Sequence, residues 1–218
     1  MKKRLQASAL LTCAMATSSV QAKITASVAV ANQYVFRGLA LSNGSPVVAG
    51  ALDYEHQSGL YAGIWSGSGD DSLGTEVNYY LGYRGSLRGF SYGVDYLNYY
   101  YPQSKGSTMP IIDFNDYAEV TLSVAYLGIG LSVSAPTRDE VAGDYRYYLL
   151  SYRYETFSLV LGVNDHESRV SRYSHVDLAY QFHQHLSFGI SQVIDQGKGA
   201  AMPNAALFLI TLRFPIEL

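Results

Sequence analysis

The sequence predicts an all-β protein that crosses a membrane as a transmembrane antiparallel up-and-down β-barrel of about 12 strands. Three observations lead to this fold class. Apolar and polar residues alternate along most of the chain, the links between the alternating segments are short and long in turn, and aromatic residues gather near segment ends. A period of two residues is typical of strands, whereas helices repeat every 3.6 residues.

The first 22 residues have the pattern of a secretory signal peptide. Three basic residues precede a short apolar stretch, and the small-residue tripeptide VQA at 20–22 suits a signal peptidase. We therefore expect cleavage after Ala22, with residues 23–218 forming a single barrel domain. The alternative is a lipoprotein signal acylated at Cys13, but the threonine before this cysteine fits that signal poorly.

The expected mature chain is acidic and contains no cysteine. Removal of the signal peptide leaves 12 Lys and Arg against 18 Asp and Glu, a net charge near −6, which argues against nucleic-acid binding. Cys13 is the only cysteine, so the exported protein can form no disulfide. No run of 18 apolar residues follows the signal, which excludes a transmembrane helix and leaves a barrel as the way to span a membrane.

Twelve segments of alternating polarity are candidate strands. In segment 75–85, Val77, Tyr79 and Leu81 share one face, while Glu76 and Asn78 share the other. One face of each strand therefore suits lipid, and the other, small and polar, suits a barrel lumen. The segments are 24–37, 45–55, 59–67, 75–85, 89–101, 116–126, 129–135, 145–156, 157–164, 173–183, 186–194 and 204–214.

The links between the segments alternate between tight and long. Five tight links lie near residues 56–58, 86–88, 127–128, 155–157 and 184–185, and six longer polar links separate them. Outer-membrane barrels show this asymmetry, with short periplasmic turns, longer external loops and an even number of strands. We therefore expect an outer-membrane location with both termini in the periplasm. The longest link, 102–113, is long enough to fold inward and narrow a pore.

The sequence makes specific predictions for the first strand and for the last strand of the barrel. In the first strand, Tyr34 and Phe36 fall on the lipid face as anchors of the outer interface, because amphipathic rings favour the headgroup level. Arg37 falls on the lumenal face at the mouth, and Gly38 begins the first loop. The last strand is expected to end at Phe214, followed by a tail of four residues, whereas barrels of this class usually end on an aromatic residue.

Charged residues in the lumenal phase are the candidate pore lining. A charge facing lipid at mid-depth would cost about 2–4 kcal/mol, which favours the inward assignment. Rings of such groups can set ion selectivity. The alternative is that they pair across a filled barrel and serve stability alone. The candidates are Arg37, Asp53, Glu76, Arg84, Asp95, Glu119, Arg153, Asp177 and Arg213.

Two other clusters contain residue types that occur in metal sites and in hydrolases. His183 and His185 have the spacing of one strand face and can share a metal ion, but no cysteine or carboxylate accompanies them, so a polar turn is favoured. Ser174, His175 and Asp177 supply the residue types of a hydrolase, yet strand alternation puts the serine on the opposite face. The sequence therefore predicts no catalytic residue, no metal and no cofactor.

The chain resembles the TorF family of porins from proteobacterial outer membranes over most of its expected mature length. The stretch ASVAVANQYVFRGLALSNGSPVVAGALDYEHQSGLYAGIWSGSG is similar to that family's pattern of a strand ending in Tyr-Val-Phe-Arg-Gly, a serine-containing loop, a proline and an aromatic hairpin. The segment EVNYYLGYRGSLRGFSYGVDYLNYYYP is similar too. The resemblance implies an outer-membrane channel without catalytic residues.

The expected function is therefore a porin that lets small hydrophilic solutes diffuse passively. A structural or adhesive barrel with a filled lumen is the alternative, and a lipid-modifying enzyme comes third. The expected partners are the lipid bilayer and lipopolysaccharide of the outer membrane, the solutes, and the machinery that assembles outer-membrane barrels.

Overall fold

The computed structural model is a closed antiparallel barrel of twelve strands with a small two-stranded hairpin. It describes residues 22–69, 74–102, 116–138, 143–198 and 204–217. The barrel strands are β1 (Ala22–Ala31), β4 (Val47–His56), β5 (Leu60–Ser68), β6 (Thr75–Leu87), β7 (Phe90–Tyr100), β8 (Tyr117–Tyr126), β9 (Ile129–Pro136), β10 (Tyr145–Tyr154), β11 (Phe157–His166), β12 (Tyr173–His183), β13 (Leu186–Gln196) and β14 (Leu207–Glu217). The hairpin consists of β2 (Val35–Phe36) and β3 (Leu39–Ala40), and a 3-10 turn covers Arg169–Ser171. The predicted fold class is confirmed.

The barrel closes by pairing its first strand with its last. Val28 of β1 lies opposite Phe214 of β14 on one side and opposite Gly50 of β4 on the other. Every other barrel strand pairs with its neighbours in the chain. Closure leaves no strand edge unpaired, which is the requirement for a sheet in lipid. In the described part of the chain, no helix has the length and apolar character to cross a membrane.

The two ends of the barrel differ in the length of their connections. Links of two or three residues join β4 to β5, β6 to β7, β8 to β9, β10 to β11 and β12 to β13, and we call this the short-turn end. The opposite, long-loop end has connections of 6 to 16 residues. Two of the short turns have left-handed backbone at both residues, Arg88–Gly89 (φ 51° and 86°) and Leu127–Gly128 (φ 48° and 83°), which matches the type I′ turn of tight hairpins.

The strands alternate between an apolar outer wall and a lumenal face. On β6, Leu81 faces outward with 57 % of its side chain exposed, and its neighbour Gly82 faces inward. Exposed aromatic rings form a belt on the outer wall near the short-turn end, and some of them stack, as Phe90 and Tyr126 do at 4.4 Å between ring centroids. The belt comprises Tyr54, Phe90, Tyr92, Tyr126, Tyr152, Tyr154, Phe157, Tyr180, Phe182 and Phe214.

Two predicted strand ends are wrong. β1 ends at Ala31, six residues earlier than expected, because the chain then turns into the lumen. β14 continues to Glu217, so the expected tail after Phe214 is largely strand. Pro215 is tolerated there because it pairs only with Ser27 of β1, beyond the last residues that pair with β13, and a proline has no N–H to offer a second neighbour. Most of the predicted signal peptide, and most of the link at 102–113, lie outside the described residues.

Candidate functional site

Residues 32–46 leave the barrel wall after β1 and enter the lumen at the long-loop end; we call them the inward hairpin. Asn32 begins the turn. Its side chain donates a hydrogen bond to the carbonyl of Phe208 on β14 at 2.9 Å and accepts one from the backbone N–H of Ile210 at 2.8 Å. The neighbouring Gln33 side chain donates to the same Phe208 carbonyl at 2.7 Å. These bonds direct the chain away from the wall.

The inward hairpin is held together by its own hydrogen bonds. Val35 and Phe36 pair with Ala40 and Leu39. The backbone N–H of Tyr34 donates to Ser42 Oγ at 2.8 Å, and that hydroxyl donates to the Ser45 carbonyl at 2.7 Å. Ser42 is fully buried, so its hydroxyl replaces the water that these backbone groups would otherwise bind.

Arg37 and Gly38 form the two-residue turn at the tip. Their φ angles of 50° and 83° are those of a type I′ turn, which requires left-handed backbone at both positions. Gly38 also fits closely against β12. A Cβ atom at Gly38 would lie 2.6 Å from Cβ of His175, so glycine lets the tip touch the barrel wall at β12.

A buried ion pair joins the tip to the barrel wall. The two terminal guanidinium nitrogens of Arg37 lie 2.8 and 2.7 Å from the two carboxylate oxygens of Glu119 on β8. Glu119, only 1 % exposed, also accepts hydrogen bonds from the hydroxyls of Tyr99, at 2.9 Å, and Tyr145. The guanidinium stacks on the Tyr147 ring at 4.0 Å. A bidentate pair with its remaining lone pairs satisfied is the geometry in which a buried ion pair is sustained.

The guanidinium remains charged in this environment. Burial lowers the pKa of Arg37, but hydrogen bonding and charge attraction from Glu119 outweigh burial, so the pKa is raised overall. The interaction across the lumen is therefore one between full charges.

A second network lies beneath the tip of the hairpin. His175 Nδ1 is 3.1 Å from Asp177 Oδ1, and His175 Nε2 is 2.7 Å from the hydroxyl of Tyr147. Ser191 donates to the same Asp177 oxygen at 2.5 Å. Ser174 lies on the other face of β12, as alternation predicts, so the serine does not join the histidine and the aspartate. Within the described residues, no group of three or more His, Cys, Asp or Glu could hold a metal ion.

A third cluster surrounds Glu76 beside the hairpin. Glu76 lies on the lumenal face of β6 with 1 % exposure, and the Asn78 amide donates to its Oε1 at 2.7 Å. The hydroxyls of Tyr34, from the hairpin, and Tyr101, just after β7, also interact with this carboxylate. Burial first, and then the charge of Glu76, raises the pKa of both tyrosines, so both hydroxyls stay protonated.

The remaining predicted pore-lining residues are spread along the lumen. Asp53 accepts a hydrogen bond from the Tyr80 hydroxyl at 2.5 Å. Arg84 stacks on the Tyr61 ring at 3.8 Å and lies 3.6 Å from an oxygen of Glu55 near the short-turn end. The nine candidates therefore form no single ring, and Arg37 with Glu119 is the pair of them that the fold brings together. Asp95 is half-buried on β7, Asp177 joins the histidine network, and Arg153 and Arg213 are exposed near the short-turn end.

The lumen between the inward hairpin and the short-turn end contains a cavity of about 700 Å³. Five serines on neighbouring strands contribute to its lining, and Arg84 brings a charge to it. They are Ser86, Ser91, Ser123, Ser132 and Ser151. This half of the barrel is a hydroxyl-lined space, whereas the long-loop half is occupied by the hairpin.

Sequence reasoning missed the inward hairpin. Tyr34 and Phe36 were expected at the lipid interface, and this prediction is wrong: Tyr34 lies 5.6 Å from Trp65, and Phe36 lies 6.0 Å from Tyr99, both on the lumenal side. The available signal was the Arg37-Gly38 pair between two short apolar dipeptides, which suits a type I′ turn. Strand alternation by itself predicts the lipid face for both rings, because it takes no account of this turn.

Comparisons with known proteins give a family and two distant structural similarities. A family model described as "Bacterial protein of unknown function (Gcw_chp)" matches residues 14–202. Comparison with curated proteins gives no match. An outer membrane channel of the COG4313 group from Pseudomonas putida F1 is 15 % identical, with 91 % of this chain and 96 % of that chain covered and a TM-score of 0.38. The outer membrane protease OmpT from Escherichia coli is 11 % identical, with 89 % and 93 % covered and a TM-score of 0.20.

Proposed function

We propose that this chain, which belongs to the Gcw_chp family of bacterial proteins of unknown function, is an outer-membrane channel for passive diffusion of small hydrophilic solutes. The observation that carries the proposal is the cavity of about 700 Å³ lined by serine hydroxyls inside a closed barrel. A filled barrel would place large side chains there. The resemblance to TorF-family porins supports the same function.

The outer wall supports a membrane location. Large apolar side chains such as Leu81, Leu122 and Leu131 are more than half exposed on it, and they recur on every barrel strand. Soluble monomers rarely expose contiguous apolar surface of more than a few hundred Å². In the proposed location this wall contacts the lipid bilayer and lipopolysaccharide, and the aromatic belt near the short-turn end lies at the periplasmic interface. The assembly machinery for outer-membrane barrels would insert it.

The inward hairpin makes the proposed channel narrow. It occupies the long-loop half of the lumen, so a solute entering there must pass beside it or wait for it to move. The proposed selectivity arises from partition between water and the lumen wall, where Arg37, Asp53, Arg84, Asp95 and Asp177 contribute charge. No chemical step is needed.

A structural or adhesive barrel with a filled lumen is the second candidate function. The observation that favours it is the buried pair of Arg37 and Glu119, which fixes the hairpin across the lumen. Under this alternative the hairpin stays lodged and no solute passes.

Conductance in a planar lipid bilayer distinguishes the two functions. The purified mature barrel is expected to give small, discrete current steps. A variant in which residues 34–41 are replaced by a short Gly-Ser linker is expected to give larger steps, because the long-loop half is then open. Retention of the barrel is checked by the change in gel mobility on boiling. If both folded proteins insert without passing ions, the channel function is wrong and the filled barrel stands.

A further inference from the structure

Among the residues that the structure describes, two buried oxygen atoms on the lumenal face of β6 have no hydrogen-bond partner. They are Oε2 of Glu76 and Oδ1 of Asn78, whose residues are 1 % and 8 % exposed. The two side chains are two residues apart on one face, and they touch, because the Asn78 amide donates to the other carboxylate oxygen of Glu76 at 2.7 Å. Buried polar atoms are normally satisfied, so two such acceptors on two side chains in contact require an explanation.

The negative charge of Glu76 also lacks an evident partner among the described residues. Glu119, equally buried, has its charge balanced by Arg37 at 2.7 Å. Among the ion pairs formed by the described residues, none involves Glu76. Its known neighbours, the Asn78 amide and the hydroxyls of Tyr34 and Tyr101, are neutral. A buried carboxylate without a counter-charge is strongly disfavoured.

We propose that a monovalent metal cation binds at Glu76 and Asn78, on the lumenal wall beside the inward hairpin. Hard cations take carboxylate, amide and hydroxyl oxygens, and those are the groups that the site offers. One carboxylate balances one positive charge. A calcium ion would require six to eight oxygen ligands, usually with more than one carboxylate.

The position of the site connects the ion to the hairpin. Glu76 and Asn78 belong to β6, Tyr101 follows β7, and Tyr34 belongs to the hairpin itself. An ion that neutralises Glu76 therefore removes the cost of packing the hairpin against this wall. Because an ion that binds only the folded arrangement stabilises it by mass action, the barrel with its hairpin lodged is expected to be more stable when the ion is present.

Thermal unfolding in different salts tests the site without any assay of transport. The mature barrel, in an uncharged detergent at one pH and one ionic strength, is unfolded in potassium chloride, sodium chloride and choline chloride. The melting temperature is expected to be several degrees higher in at least one of the metal salts than in choline chloride, because choline is too large to reach a fully buried oxygen pair.

Two variants locate the effect. Glu76→Gln keeps the shape of the side chain and its bond from Asn78 but removes the charge, so its melting temperature is expected to be the same in all three salts. The matched control is Glu55→Gln, at an exposed carboxylate near the short-turn end, which is expected to keep the wild-type salt dependence.

Three outcomes would overturn the proposal. Equal melting temperatures of the wild type in all three salts would mean that Glu76 is buried as a neutral acid. A salt dependence that Glu76→Gln retains would place the ion elsewhere. Stabilisation that requires calcium and is lost to a chelator, with no difference between the monovalent salts, would contradict the assigned charge of the ion.

Discussion

Truncation of Arg37 to methionine is expected to release the inward hairpin from the lumen. The variant keeps an unbranched apolar stem but removes the guanidinium, which leaves the Glu119 carboxylate, 1 % exposed, with the Tyr99 and Tyr145 hydroxyls as its hydrogen-bond donors among the described residues. Breaking one partner of a buried ion pair costs about 3–5 kcal/mol. Since about 1.4 kcal/mol is a tenfold change in an equilibrium, the released population should rise by roughly a hundredfold to several thousandfold.

A cysteine at position 42 reports this release. The expected mature chain has no other cysteine, and Ser42 is fully buried in the lodged hairpin, so Ser42→Cys reacts with a maleimide only when the hairpin opens. In the Ser42→Cys background, Arg37→Met should raise the labelling rate of the folded barrel by the same factor, roughly a hundredfold to several thousandfold. Arg153→Met, at an exposed lumenal arginine near the short-turn end, is the matched control and should leave the rate unchanged.

A double variant distinguishes the loss of the ion pair itself from the cost of leaving the Glu119 carboxylate buried without a partner charge. Arg37→Met combined with Glu119→Gln removes both charges, so labelling should fall below that of Arg37→Met alone, because no unpaired carboxylate remains buried. If Arg37→Met is labelled at the rate of its parent while its gel mobility still changes on boiling, the ion pair does not hold the hairpin, and the reasoning is refuted.

Three further changes test other parts of the structure. Gly38→Ala should lower the melting temperature, because a Cβ atom there would lie 2.6 Å from Cβ of His175. In addition, the left-handed backbone at this position costs a residue with a Cβ atom about 1–2 kcal/mol. An unchanged melting curve would contradict the tight contact. Leu81→Arg, at the middle of β6, should reduce the free energy of unfolding in lipid vesicles by about 2–4 kcal/mol. The control Leu127→Arg, in a short turn, should change it by less than about 0.5 kcal/mol. Equal effects of the two variants would mean that Leu81 does not face lipid. Ser132→Trp should reduce single-channel conductance by filling the serine-lined cavity, and an unchanged conductance would place the solute path elsewhere.

Strand alternation was sufficient to predict which way most residues face. Glu76, Asn78 and Gly82 of β6 point inward and Leu81 outward, as expected. The reason is local: successive side chains of a strand point to opposite faces, so the sequence of one strand fixes its phase once lipid and lumen differ in polarity. The number of strands and the alternation of short and long links are also predictable from the sequence, because each strand and each link is a local segment.

The end of the last strand shows a feature that local sequence patterns do not predict. The sequence predicts a tail from Pro215 onwards, yet this proline is accommodated in β14 because β13 has already stopped pairing there. Nothing near Pro215 in the sequence records where a neighbouring strand ends.

Arg37 shows the same limit at the candidate site. Alternation assigned it to the lumen, and it lies there, but on the tip of a hairpin rather than on a strand. Its position depends on Glu119, 82 residues away, and on the glycine that lets the tip approach His175. The arrangement is sustained because the attraction and the two hydrogen bonds between the charged groups offset the cost of burying them, and such a contact exists only once the barrel has closed around it.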